Sequence, residues 1–115
     1  MAVNVTGLSD TVERECLLYD PFYGDETYVT PLSDKFVFTR KVHRCQICWD
    51  EIPANSRVRA KTERNNEERK VATFYFCTQC CYAMADSING SDDEICRRTS
   101  QGVDRAEREH REVAP

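Results

Sequence analysis

Two Cys-x-x-Cys pairs, Cys45-Gln46-Ile47-Cys48 and Cys77-Thr78-Gln79-Cys80, stand with 28 residues between them in a chain of 115. No other feature constrains the fold as strongly. Two intervening residues let a tight turn aim both sulfurs at one point, and amides in that turn can donate to the thiolates. Four thiolates at about 2.3 Å then complete a tetrahedron around one zinc ion. Four protein ligands leave no position for water or substrate, so such a site is structural. The expected ligands are Cys45, Cys48, Cys77 and Cys80. Cys81 is the alternative to Cys80, because positions 77 and 81 share a helical face; the two-residue spacing favours Cys80 at a helix start. Zinc is preferred, with iron as the alternative. A rubredoxin-type iron site would want a second Gly-containing knuckle rather than a helix start.

The cysteine count supports metal over disulfides. There are seven, an odd number, and Met1–Asp10 shows no basic patch followed by an apolar run. That combination points to a reducing compartment, the cytoplasm. No stretch reaches the length of a membrane span. A chain this short reads as one domain, and small domains often depend on a metal to stay folded.

The elements around the pairs can be read from pattern. Asp10 and Glu13 have capping-box spacing, and Val12, Cys16 and Tyr19 fall on one helical face. Thr27–Thr30 and Lys35–Val42 are β-branched and aromatic, with Pro31, Ser33 and Asp34 between them, which predicts a loose hairpin. Arg57–Thr62 alternates, with Val58, Ala60 and Thr62 on one side and Arg57, Arg59 and Lys61 on the other. Asn65-Asn66 predicts a polar turn, and Lys70–Phe76 returns as a strand. Cys81, Met84, Ala85 and Ile88 then recur at helical spacing, with Thr78 as cap and Asn89-Gly90 as the stop. From Ser91 the chain changes character: Ser91–Glu94 is acidic, and Asp104–Glu112 is almost wholly charged, with no apolar face to dock.

A cysteine turn, a hairpin, and a second pair running into a helix resemble the treble-clef zinc finger over Val42–Gly90. Within it, Cys-Gln-Ile-Cys-Trp-Asp-Glu-Ile-Pro-Ala-Asn is similar to the knuckle opening of small bacterial and phage treble-clef proteins. Those often read Cys-x-x-Cys-Gly, then Ile-Pro and a Gly-containing turn. Trp49 stands where the Gly is usual, and Asn55 takes the place of the later Gly; Asn tolerates positive φ. The resemblance implies an α+β fold, a small zinc-stabilised treble clef of knuckle, β-hairpin and helix. Residues 1–90 would be the zinc-binding domain, with the core at 42–90 and a β-rich extension at 1–41. Residues 91–115 would be a charged, mobile tail. It also implies a phage or bacterial source, and hence a prokaryotic host cytoplasm.

Function must then come from surfaces. The chain carries a formal charge of −4, unevenly spread. Met1–Asp34 has one Arg against seven acids, whereas Lys35–Tyr75 has ten Lys/Arg against five acids. Arg40, Lys41 and Arg44 before the knuckle, with Arg57, Arg59 and Lys61 along a strand, could lay a row of cations on phosphates. The opposing reading is a hairpin face matched by acids of the same chain. The acidic total favours a protein-binding regulator or adaptor, with a nucleic-acid-binding finger as the alternative. An enzyme is not expected. HNH-type nucleases need histidines on the hairpin and helix, and Arg57–Asn89 has none. No catalytic triad, phosphate loop or His-Glu-x-x-His motif is present either, so neither a small-molecule substrate nor a membrane is expected as partner.

Overall fold

The computed structural model describes residues 9–22 and 29–113, with the backbone alone at 111–113. The order of elements is α1 (Asp10–Leu18), β1 (Val29–Phe38), β2 (His43–Arg44), β3 (Glu51–Ile52), β4 (Arg57–Asn65), β5 (Lys70–Phe76), α2 (Thr78–Ile88) and α3 (Asp93–Val113). It is a small α+β arrangement of three helices on an antiparallel sheet of order β1-β4-β5, beside the two-stranded β2-β3 ribbon.

α1 starts one residue earlier than its capping-box spacing suggests. Ser9 is the N-cap, its side chain accepting from the Val12 amide at 3.2 Å, and Asp10 opens the first turn. Glu13 does not turn back to the cap; it reaches β4 instead.

The loose hairpin expected around Pro31 is a single strand. β1 pairs with β4 from Val29↔Asn65 to Phe38↔Arg57, and the register shifts between Pro31 and Ser33. A proline has no ladder donor, and an edge strand with a bulge accommodates it. Thr27 lies outside the described residues.

The β4–β5 hairpin matches its pattern. Asn65 Oδ1 accepts from the Glu67 and Glu68 amides at 3.0 Å each, which closes the turn. β4 is the central strand and is covered on both faces. Val58, Arg59 and Ala60 are all buried. One face looks at Cys45, Cys48, Ile52 and Cys80; the other at Cys16, Met84 and the helices.

The segment after residue 91 departs most from expectation. Residues 93–113 form one helix, and it docks. Ile95 and Gly102 are buried, and Glu94, Arg98, Gln101, Arg105 and Ala106 are half-buried. Those positions form one helical stripe, built from a glycine, an alanine and arginine stems rather than from large apolar groups.

Candidate metal centre

The first two ligands come from a knuckle. The Cys45 amide donates to Asp50 O at 2.8 Å, and the Trp49 amide to Cys45 O at 3.0 Å, folding Cys45–Asp50 back on itself. Trp49 reverses the chain at φ 62° and Asn55 turns it again at φ 64°. These are the two positions where the resemblance leads one to expect glycine. For Asn the left-handed region is a mild choice; for Trp it costs about 1–2 kcal/mol. The Gln46 amide donates to Tyr75 O at 2.9 Å, which pins the knuckle to the edge of β5.

The second two ligands come from the start of α2. Cys77, not Thr78, is the N-cap: its sulfur accepts from the Cys80 amide at 3.4 Å. Thr78 Oγ1 donates instead to Arg57 O. The Cys77 amide donates to Cys45 Sγ at 3.3 Å. Amide donors and the helix N-terminus both favour negative charge on these sulfurs.

The four sulfurs of Cys45, Cys48, Cys77 and Cys80 all lie within 4.8 Å of one another. Cys48 Sγ and Cys77 Sγ are 3.7 Å apart. A tetrahedron with bonds of about 2.3 Å has edges of about 3.8 Å, so the set is positioned to bind one metal ion. Cys81 is excluded from it. Its thiol points to the far side of α2, donating to Phe76 O at 3.4 Å among the helix-side core residues.

Among themselves the thiols share protons unequally. Cys48 is pulled well below the usual thiol range, first by its hydrogen bond with Cys45 and then by those with Cys77 and Cys80. Cys45 comes down to about 7: the bond with Cys48 raises it, but those with Cys77 and Cys80 lower it. Cys77 and Cys80 are pushed up, because their bonds to Cys45 and Cys48 hold their protons. Such a cluster accepts a cation in exchange for protons.

The three strand cations of the expected row are paired with acids of the same chain. Arg59 is 1 % exposed. Its Nε and Nη2 meet Asp34 at 2.8 and 2.6 Å, and its Nη1 donates to Cys16 O at 2.8 Å. Arg57 makes a two-pronged pair with Glu13 at 2.9 and 3.0 Å. Lys61 lies 3.7 Å from Asp34 and 3.6 Å from Glu63. Acids of the N-terminal third thus neutralise much of the basic hairpin. Arg40 and Lys41 are exposed; Arg44 is also exposed, but lies 3.5 Å from Glu109 and over the Trp49 ring. His43 stacks on Tyr75 and takes no part in the sulfur cluster.

Sequence reasoning missed the third wall of the site, which α3 supplies. Arg98 Nη1 lies 3.8 Å from Cys80 Sγ, and Arg105 Nη1 donates to Cys48 O at 3.0 Å. Gly102 packs so closely that a Cβ there would stand 1.8 Å from Ile47 O. A lone glycine inside a charged helical segment was the available signal, since it marks close backbone approach. Cys16, on the α1 face, is a further residue whose surroundings the sequence does not reveal. It is buried beside Met84 Sδ at 3.6 Å, and hydrogen bonding with Cys81, then the charge of Arg59, lower its pKa.

Among the described residues no helix is long and apolar enough to cross a membrane. No family model matches the chain, and neither a curated protein nor a solved structure matches it at a significant level.

Proposed function

We propose that the chain is a zinc-stapled module of treble-clef type, without catalytic chemistry of its own, that binds a protein partner in the cytoplasm as a regulator or adaptor. Zinc suits four thiolates in a closed site that ends on a helix start. The treble-clef reading is supported by the succession of knuckle, β4–β5 hairpin and α2, with the last two ligands at the start of that helix.

The observation that carries the choice of partner is the destination of the strand cations. A nucleic-acid reader needs them free to displace counterions from phosphates. Here Arg57, Arg59 and Lys61 are held by Glu13, Asp34 and Glu63. Beside them Leu17, Leu18, Phe22, Val29 and Pro31 line a groove of about 260 Å³, whose charged lining is Asp20, Asp34 and Glu63 together with the paired Arg59 and Lys61. Leu18 is 69 % exposed. That chemistry fits a partner segment with apolar side chains and a basic flank.

The test has two arms. Duplex DNA and single-stranded RNA, titrated at low salt, are expected to show no saturable binding. Cross-linking in host extract is expected to capture a protein, and Leu18→Asp to abolish that capture while leaving the metal content unchanged. Saturable nucleic-acid binding with a steep salt dependence, lost in Arg40→Glu/Lys41→Glu, would replace this reading with the nucleic-acid one.

A further inference from the structure

We infer that α3 belongs to the metal centre: Arg98, Gly102 and Arg105 are positioning residues that raise metal affinity, and the helix docks only on the metal-loaded knuckle. This rests on the zinc reading above.

Three contacts along one face of α3 converge on the ligand loops. Arg98 Nη1 faces Cys80 Sγ at 3.8 Å. Gly102 lets the helix backbone lie against Ile47 O, between the two knuckle ligands. Arg105 Nη1 donates to Cys48 O at 3.0 Å. Four thiolates on a divalent cation carry a net charge of −2, and Arg98 sets a guanidinium against it. The other two contacts read the shape of the knuckle, which a bound cation would tie to the start of α2 by joining Cys45 and Cys48 to Cys77 and Cys80.

Besides the knuckle, the helix packs against α2, and Ile95 enters the helix-side core. Ile95 is its one buried apolar side chain among the described residues, and Val103 is 54 % exposed. Trp49, the only tryptophan, donates from Nε1 to Glu109 Oε2 at 2.9 Å. That contact also starts from the knuckle. Docking therefore draws on the loop the metal organises, and linkage requires the reverse: docking must tighten metal binding.

Gly102→Ala separates this from a merely structural role. Alanine is the better helix former, so a helix that only needed to be a helix would gain. A docking surface with no room for a Cβ loses. Zinc affinity, measured by competition with a chromogenic chelator, is expected to fall in Gly102→Ala by between about 5- and 150-fold, the usual span of coupling between sites. Arg98→Gln is expected to weaken it too, and Arg98→Lys to restore part of the loss. In wild-type protein, zinc titration should bring hydrogen-exchange protection of α3 and a shift in Trp49 fluorescence in step with loading. Unchanged zinc affinity in Gly102→Ala, or equal α3 protection with and without zinc, would overturn the inference. The affinity arm holds even where the stripped protein unfolds. If wild-type protein takes up no zinc at all, it is the underlying metal reading that fails, not the role of α3 alone.

Discussion

Val58 and Arg59 are neighbours on β4 and both are buried, yet they look into different interiors. Val58 joins Ile52 and the cysteines of the metal side. Arg59 joins Cys16, Met84 and the ring of Phe76, with Phe22 and Phe74 packed edge to face at 4.9 Å nearby. On the metal side the buried set is Ile52, Val58 and three cysteines, and a bound ion would stand in for part of the apolar burial. On the helix side burial is conventional, apart from one charge satisfied by Asp34 and a backbone carbonyl. With a metal bound, a chain of this length would cover its central strand on both faces by using two different sources of free energy.

The contrast predicts unequal consequences of damage. Cys45→Ser or Cys77→Ser should abolish metal uptake and cooperative melting of the metal side, because binding energy at such a site, about 10–16 kcal/mol in small zinc domains, is folding energy. Calorimetry with parallel metal analysis checks this; a variant that melted like wild type with full metal would erase the distinction between the two interiors. Mild acidification, kept above the carboxylate range, should act on the metal side first. Thiolates bind metal only when deprotonated, so loading should be complete at neutral pH and fall as pH falls, with protons displacing the ion. Circular dichroism and free-metal release should move together.

On the helix side, Arg59→Ala leaves Asp34 with only the more distant Lys61 at 3.7 Å and the Cys16 carbonyl without its donor, and should cost about 3–5 kcal/mol, read by urea denaturation, with metal content unchanged. Arg59→Met with Asp34→Leu should recover most of it, because replacing both charges avoids an orphan. A double variant no better than the single one would show that the pair does more than satisfy itself. Smaller still, Trp49→Gly should relieve about 1–2 kcal/mol of left-handed strain while losing the indole contact to Glu109, so the two nearly cancel in melting temperature. Cys96, which is exposed and outside both interiors, should tolerate serine within about 0.5 kcal/mol.

The metal side was the more legible of the two. Ligand spacing, hairpin alternation and the Asn89-Gly90 stop are local signals, and each marks its element. Even the positive φ at Asn55 follows from its residue type. The helix side depends on distant partners. Alternation placed Arg59 on an exposed face because nothing near it in sequence reveals Asp34, 25 positions away, or the α1 carbonyl it also reaches. The α3 stripe escaped a search for large apolar residues because it uses Gly102, Ala106 and arginine stems. Pro31 suggested a break in β1 where the edge strand absorbs it as a bulge.

Zinc-edge X-ray absorption on protein purified without chelator reaches the central claim most directly. The expected spectrum has a single shell of four sulfurs at about 2.3 Å, with one equivalent of metal per chain. A shell containing nitrogen or oxygen, or well-folded protein carrying no metal, would contradict it.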